Sequence, residues 1–335
     1  MSDRASPLES ATTEPIAATV LVIAYRMRDT IAASIASAFA QTVACEIIVS
    51  DDSSGDGTLE AAQAAIAGYS GPHRVSARST PRNLGLCAHL VELAHIASGD
   101  VVVFLAGDDL AYPQRVARLL AEMAAHPTAM VVGSSVDDID AEDKVIARQV
   151  RGLPLLLDQR WFLRRGKLKS VLGASMAVRR SLIADLPPLQ GMVEDTMLTL
   201  RATLLGECRC VPEPLLGYRR HDHNLNDWMH DRSEKSFAAY ERRHRRVLGM
   251  YRMIAADQER CVAARPDLPE ERLRLALALA QMYRLEADMC EAVLDKPRSQ
   301  WLPLLWRGLK NPGLRRKSAE RALKLLLPRR WFGRS

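Results

Sequence analysis

Two pairs of aspartates stand in the first third of the chain, each shortly after an apolar run. Asp51 and Asp52 follow EIIVS, and Asp108 and Asp109 follow VVVFLAG. Carboxylate oxygens are the ligands that Mg²⁺ and Mn²⁺ prefer, and such an ion commonly bridges protein carboxylates to substrate phosphates. Either pair alone is more often part of a turn or a helix cap. Two pairs at the same edge of one sheet would instead indicate a site for a divalent cation and a nucleotide.

A second set of charged residues lies in the second half of the chain. Glu194 and Asp195 open a predicted helix, where the helix dipole favours acidic side chains. Arg219 and His221 follow a predicted strand, and such side chains bind phosphate groups well. In isolation, a solvated helix start and a solvated basic turn are the simpler interpretations of these two pairs.

The elements that position these residues alternate between strand and helix from residue 19 to about 150. Apolar, β-branched runs predict strands, and apolar positions spaced by three and four predict helices. The alternation is typical of an α/β fold with a mostly parallel sheet, whose ligand site lies at the carboxyl ends of the strands. The predicted strands are 19–24, 46–50, 74–78, 101–105 and 129–134, and the predicted helices are 30–40, 59–67, 86–97 and 111–125. The stretch 137–167 is predicted to be irregular.

The motifs of two common nucleotide-binding classes are absent from the sequence. No G-x-G-x-x-G follows the first strand, and there is no Walker A loop. A nucleotidyltransferase stays an alternative, although the segment 25–28 lacks the glycine expected after the first strand of such an enzyme. A nucleic-acid-binding or anionic-surface-binding protein is the other alternative. Aromatic residues make up only 5% of the chain, which argues against base-stacking platforms.

Composition excludes several further classes. Apolar residues make up 48% of the 335 residues, so the chain can bury a core. No apolar run approaches the roughly 20 residues of a membrane-spanning helix. The first residues carry acids and no apolar stretch, so no signal peptide is expected. Six cysteines without a regular framework are expected to be reduced thiols of a cytoplasmic protein.

The net charge of +6 is concentrated at the C-terminal end of the chain. The last forty residues hold 12 lysines and arginines and a single acid, Glu320. Ala322, Leu323, Leu326 and Leu327 are spaced as one helical stripe, which predicts a basic amphipathic helix. The flanking basic residues are Arg316, Lys317, Arg321 and Lys324. Such a helix suits an anionic membrane surface, and packing of the stripe on the protein is an equal alternative.

The order of the motifs resembles that of glycosyltransferase family 2, whose members have the GT-A fold. The matching segments are Ala24-Tyr25, EIIVSDDSSGDGT (46–58), RNLGL (82–86), SGDVVVFLAGDDLAYPQR (98–115), VED (193–195) and GYRRH (217–221). The second of these segments is highly specific. The chain is accordingly divided into a disordered tail (1–17), a GT-A domain (18–225) and a helical C-terminal region with the basic tail (226–335).

The resemblance implies an inverting transfer of a sugar from a nucleotide-sugar donor to an acceptor hydroxyl. The acceptor would be a saccharide or a lipid-linked saccharide in the synthesis of a cell-surface polysaccharide or glycoconjugate. Six residues of the first half are candidates for binding the donor. They are Ala24 and Tyr25 near the base, one of Asp51 or Asp52 on the nucleobase or ribose, and Arg82 and Asn83 on the nucleotide.

The resemblance also implies a Mg²⁺ or Mn²⁺ ion on the donor diphosphate. Asp108 matches the last acid of the family's D-x-D motif, and Asp109 beside it would help to complete the shell. The family's usual first acid falls at Ala106, which offers no ligand, so the metal would depend mainly on Asp108.

Four residues of the second half receive roles from the same resemblance. Asp195 matches the acid that deprotonates the acceptor hydroxyl, with Glu194 supporting it. Arg219 and His221 match a segment expected to close over the diphosphate. The enzyme is expected to be cytoplasmic, with a peripheral position at the inner face of the membrane as a further expectation. No nucleic-acid partner is expected.

Overall fold

A computed structural model describes residues 18–150, 153–166, 168–191, 193–221, 236–328 and 331–332. The strands in these ranges are β1 (Ala18–Ala24), β2 (Glu46–Asp51), β3 (Arg74–Ser79), β4 (Val101–Ala106), β5 (Leu110–Ala111), β6 (Ala129–Ile139), β7 (Val145–Val150), β8 (Leu156–Leu157), β9 (Ala177–Arg179) and β10 (Glu207–Arg219). The helices are α1 (Ile31–Phe39), α2 (Thr58–Ile66), α3 (Leu86–Ile96), α4 (Arg115–Ala125), α5 (Gln159–Arg165), α6 (Ser181–Ala184), α7 (Glu194–Leu205), α8 (Phe237–Ala264), α9 (Glu270–Asp295), α10 (Trp301–Lys310) and α11 (Arg315–Leu323). The predicted tail over 1–17 lies outside the described residues.

The ten described strands form one sheet in the order β3-β2-β1-β4-β9-β6-β10-β5, with β7 on β6 and β8 on β10. Strands β3, β2, β1 and β4 are parallel to one another, and β10 is parallel to β6. Strand β9 runs antiparallel to both β4 and β6, so β6 has the direction of β4. The predicted α/β fold with a mostly parallel sheet is confirmed.

Helices cover both faces of the sheet because the central strands are apolar on both sides. On one face, Ile31 and Ile35 of α1 and Leu119 of α4 pack against β1 and β4. On the other face, α3 and α7 share a continuous apolar core with α8, α9 and α10, to which Leu90 and Tyr251 belong. The C-terminal region is thus helical as predicted, and the proposed boundary at 225/226 falls outside the described residues.

The prediction of an irregular stretch over 137–167 is wrong. The stretch contains the end of β6, all of β7 and β8, and α5. These elements were missed because they contain polar side chains, which interrupt an apolar run. Asp137 is one of them: within β6 it accepts hydrogen bonds from Tyr112 (2.9 Å) and from the backbone of Gln149 (2.8 Å). The helix predicted from residue 111 begins only at Arg115, because Ala111 pairs with β10.

The predicted basic amphipathic tail also has a different geometry. The α-helix ends at Leu323, so the predicted stripe does not continue on one helix. Arg321 makes a two-pronged ion pair with the buried Glu286 of α9, at 2.8 Å for each contact. Lys317 and Lys324 also face the protein. Buried Glu286 requires a cationic partner, and Arg321 of α11 is that partner. Arg321 was predicted to contact lipid headgroups instead.

Two further expectations concern the chain as a whole. The six cysteines are all buried, and none is in a disulfide bond. Among the helices in the described ranges, none is both long enough and apolar enough to cross a membrane.

Candidate functional site

Three strand ends meet at one edge of the sheet. Ala24 at the end of β1 pairs with Asp51 at the end of β2, and Ile23 pairs with Ala106 at the end of β4. The loops after these strands therefore lie side by side. The structure thus brings both aspartate pairs to the same edge, as the alternating pattern predicted.

Asp52 holds the loop that follows β3. One carboxylate oxygen accepts hydrogen bonds from the Thr80 hydroxyl (3.0 Å) and the Leu84 backbone N–H (2.8 Å). The other oxygen accepts from the Gly85 N–H (2.8 Å). Both oxygens of this buried side chain are therefore committed to shaping the exposed segment 81–83.

The hydrogen-bond partners of Asp51 can rearrange more easily than those of Asp52. Its carboxylate accepts hydrogen bonds from the backbone N–H of Ser54 (3.0 Å), from the Ser54 hydroxyl and from the Ser79 hydroxyl (3.2 Å). Hydroxyl groups can rotate to other acceptors, so Asp51 can exchange partners more easily than its neighbour.

Arg82 and Asn83, which were predicted to contact the nucleotide, are exposed on the adjacent loop.

The loop after β1 is fixed by hydroxyls of the EIIVSDDSSGDGT segment. Arg26 adopts a left-handed backbone conformation (φ 57°), and its N–H donates to the Ser54 hydroxyl (2.7 Å). The next backbone N–H donates to the Thr58 hydroxyl (3.0 Å). The Tyr25 ring is left exposed while Ala24 is buried. These positioning roles of Ser54 and Thr58 were missed because hydroxyl residues in a turn carry no signal for a distant partner.

Helix α1 fixes the end of β4. The Ser34 hydroxyl donates to the carbonyl of Ala106 (3.0 Å), and the Thr30 hydroxyl donates to the carbonyl of Gly107 (2.9 Å). A Cβ at position 107 would lie 2.8 Å from the Ile31 side chain, so a larger residue there would displace that side chain. The aspartate pair that follows is therefore held in a defined place.

Asp108 and His221 lie next to each other, with 2.8 Å between Oδ2 and Nε2. The antiparallel pairing of Leu110 with Gly217 brings their segments together. Both side chains are partly accessible to solvent. An oxygen ligand and an imidazole thus lie side by side, a donor set that suits a divalent metal or a metal-bound diphosphate.

Asp109 points the other way, which corrects its prediction as a second metal ligand. Its side chain is only 1% exposed, and Oδ1 accepts a hydrogen bond from the backbone N–H of Arg219 (2.9 Å). Burial, and then the charge of Asp108, raise the pKa of Asp109 well above its ordinary range. Burial thus favours the neutral form of this carboxyl and keeps it from the accessible side of the turn, where Asp108 lies.

The guanidinium of Arg219 is occupied within the protein. It donates hydrogen bonds to the carbonyls of Asp108 (2.8 Å) and Asp140 (2.6 Å) and forms an ion pair with Asp143. The side chain is buried, so Arg219 fixes the turn that carries Asp108. Its closure over a diphosphate stays a prediction. The partners on the 140–143 turn were missed because that region was predicted to be irregular.

Glu194 and Asp195 form the first turn of α7. Asp195 accepts hydrogen bonds from the Ser170 hydroxyl (2.8 Å) and the Thr196 N–H (2.6 Å). Glu194 lies beside the turn at Gly173, where a Cβ would sit 3.3 Å from its Oε1. Burial, and then the charge of Asp195, raise the pKa of Glu194 to about 8. Glu194 therefore holds its proton at neutral pH. The role of Ser170 in orienting Asp195 had no signal in the sequence.

Buried arginines hold α7 in place. Arg201 binds Asp257 of α8 through two contacts (2.9 and 2.6 Å), and both side chains are fully buried. Arg201 also donates to the Pro187 carbonyl (2.7 Å). Arg115 donates to the carbonyl of Ala174, which ties the turn beside Glu194 to α4. Within the described ranges, no group of three or more His, Cys, Asp or Glu side chains could by itself hold a metal ion.

The fold is that of α/β proteins, whose ligands generally bind at the carboxyl ends of the strands. The model of glycosyl transferase family 2 matches residues 19–186, half of the chain. The chain belongs to glycosyltransferase family 2, as its motifs predicted.

The putative glycosyltransferase EpsE of Bacillus subtilis (strain 168) is 34% identical over 118 residues, which are 35% of this chain and 42% of EpsE. The chain thus matches about two fifths of the length of this curated relative.

Solved structures share the fold at low sequence identity. The structure of S. aureus TarS 1–349 in complex with UDP-GlcNAc has a TM-score of 0.56 and 16% identity, over 91% of this chain and 83% of that chain. GalNAc-T7 with UDP, GalNAc and Mn²⁺ has a TM-score of 0.51 and 18% identity, over 62% of this chain and 44% of that chain.

Proposed function

We propose that the protein is an inverting glycosyltransferase that moves a sugar from a nucleotide-sugar donor to the hydroxyl of a saccharide or lipid-linked saccharide. The observation that carries this proposal is the register of β1 with β2 and β4, which aligns Asp51 and the Asp108 turn at one edge. Membership of family 2 supports sugar transfer as the reaction. The catalytic part is proposed to span 18–225 and the helical region 226–335, in which Asp257 of α8 binds Arg201 of α7.

For the donor, Asp51 is the better candidate of the first aspartate pair. Asp52 is saturated by three loop donors, whereas Asp51 accepts mainly from groups that can turn away. The exposed ring of Tyr25 offers a flat apolar face for a base beside buried Ala24. Arg82, on the exposed loop with Asn83, is proposed to contact the nucleotide.

A Mg²⁺ or Mn²⁺ ion is proposed to bind at Asp108. The fit is supported by the partly exposed carboxylate and the imidazole of His221 at 2.8 Å, which is proposed to contact the diphosphate. The relative GalNAc-T7 was solved with Mn²⁺. When bound, such an ion offsets the negative charge on the leaving nucleoside diphosphate. Because Ala106 supplies no ligand and Asp109 is buried, phosphate and water oxygens would complete the shell.

For the chemical step, Asp195 is proposed as the general base that removes the proton of the acceptor hydroxyl. Its bonds to Ser170 and to the backbone at the start of α7 fix its orientation. Glu194, which holds its proton, supports this carboxylate by not adding a second charge beside it. A positioned base contributes about 10²- to 10⁴-fold to a rate. Attack opposite the leaving group inverts the anomeric carbon.

The test is Asp195→Asn. We expect transfer to fall by at least about 100-fold while the donor dissociation constant changes only a few-fold, because a base acts on the acceptor. Asp185→Asn, the same change at an exposed position after α6, is the matched control and should leave both values unchanged. Donor affinity that falls in step with the rate would contradict the assignment. NMR of the product should show a β-linkage from an α-donor, and retention would exclude this mechanism.

A further inference from the structure

Large apolar side chains are exposed along the hairpin formed by α10 and α11. Trp306 is 61% exposed, and Leu326 is 82% exposed. We name this set the C-terminal apolar surface. Its members are Leu302, Trp306, Leu323, Leu326, Leu327 and Trp331.

The hairpin brings the two halves of this surface together. Helix α11 packs against α10, and Arg298, just before α10, donates a hydrogen bond to the carbonyl of Leu327. Leu302 lies one helical turn after Arg298, and Trp306 lies one turn further on the same face of α10. The Arg298 contact therefore brings the segment after α11 beside the start of α10, where Leu302 is exposed.

Inward polar contacts explain why the leucines face outward. Arg321 is used on Glu286, and Lys324 donates to the Tyr240 hydroxyl (2.9 Å). These side chains occupy the side of the segment that faces α8 and α9. The leucines at 323 and 326 are consequently left on the opposite side.

The rim of the C-terminal apolar surface is basic. The Lys310 ammonium lies 4.7 Å from the centre of the Trp306 ring. The single acid of this part of the sequence, Glu320, is paired with Arg316 at 2.8 Å. The other exposed cations of the hairpin and the turn before it are Arg298, Arg307 and Arg315.

We propose that the C-terminal apolar surface binds an anionic lipid bilayer. Its leucines and tryptophans would enter the boundary between headgroups and acyl chains, and the basic rim would contact anionic headgroups. A nucleic acid fits less well, because four of the six members are leucines, which offer no flat face to a base. A second copy fits less well too, because a symmetric contact would bring two basic rims together. This inference does not depend on the proposed sugar transfer, since none of these residues belongs to that site.

The experiment is co-sedimentation of the full chain with vesicles of phosphatidylcholine, with and without phosphatidylglycerol. We expect binding only to the anionic vesicles. Trp306→Glu with Leu326→Glu should lower the partition coefficient by at least about tenfold, because burying a side chain of this size contributes about 1.5 to 3 kcal/mol. Leu155→Glu is the matched control: Leu155 is 59% exposed but lies just before β8, so its variant should bind like the unmodified protein.

Charge is tested separately from apolar contact. Arg307→Gln and Lys310→Gln should each lower the partition coefficient about fivefold at low salt, since each cation near an anionic surface contributes about 1 kcal/mol. Salt should weaken binding, because the screening length falls from about 10 Å at 0.1 M to about 3 Å at 1 M. Circular dichroism and the unfolding midpoint must be unchanged in every variant.

Three results would overturn the proposal. Equal binding of the Trp306→Glu, Leu326→Glu variant and the unmodified protein would show that this surface is not the contact. Self-association that only this variant loses, measured by light scattering, would assign the surface to a second copy. Binding to an oligonucleotide but not to anionic vesicles would assign it to a nucleic acid.

Discussion

Removing the carboxylate of Asp257 tests how the helix that carries the proposed base is held. Arg201 of α7 and Asp257 of α8 are both fully buried and make two contacts, at 2.9 and 2.6 Å. Asp257→Ala leaves the Arg201 guanidinium buried with only carbonyl partners, such as that of Pro187. Breaking a buried ion pair from one side costs about 3 to 5 kcal/mol. We expect a loss toward the lower end, about 3 kcal/mol, because carbonyls retain part of the hydrogen bonding.

Urea unfolding at equilibrium measures this loss. The double variant Arg201→Met with Asp257→Leu should recover most of it, because apolar side chains of similar volume often replace a buried ion pair without net cost. Asp267→Ala is the matched control: it removes the carboxylate of a two-contact pair with Arg265 that lies at the surface, and it should change stability little. A loss below about 1 kcal/mol for Asp257→Ala, or losses that simply add in the double variant, would refute the reasoning.

Two further predictions concern the site itself. Asp108→Ala should abolish metal-dependent transfer, and added Mn²⁺ should not restore it. Asp109→Asn should retain most activity, because the side chain is buried and the raised pKa of Asp109 favours its neutral form. Full metal-dependent activity of Asp108→Ala in a transfer assay would place the ion elsewhere. The Glu194 carboxyl should make stability fall as the pH rises from about 4.5 toward 8, because the folded chain keeps a proton that the unfolded chain has lost. Urea unfolding across this range should show the slope, and Glu194→Gln should flatten it; identical pH profiles for the two proteins would contradict the raised pKa.

Much of the α/β core could be predicted because its strands bury both faces. The runs TVLVIA and VVVFL are apolar throughout, and β1 and β4 end within one residue of their predicted bounds. Strands β7 and β8 were missed because β7 exposes most of its side chains and β8 has only two residues. Short or exposed strands are fixed by their partners, which a local pattern does not contain.

Site residues could be predicted by type but not by orientation. Asp108 and Asp109 are adjacent and of the same type. Asp108 is partly exposed beside His221, whereas Asp109 is buried on the backbone of Arg219. The inward orientation of Arg321 likewise depends on Glu286, which lies on another helix. Which of two neighbouring charges is buried is decided by tertiary partners, and single-sequence spacing does not reveal them.

The most direct test of the proposed donor site is thermal unfolding of the protein with a panel of nucleotide sugars and Mn²⁺. A donor present at about 100 times its dissociation constant should stabilise the fold by about 2.7 kcal/mol. We expect one class of nucleotide sugar to produce this shift, NAD⁺ to produce none, and Asp51→Ala and Asp108→Ala each to reduce the donor-induced shift. If no nucleotide sugar stabilised the protein, or if the shift survived both substitutions, the edge formed by β1, β2 and β4 would not be the donor site.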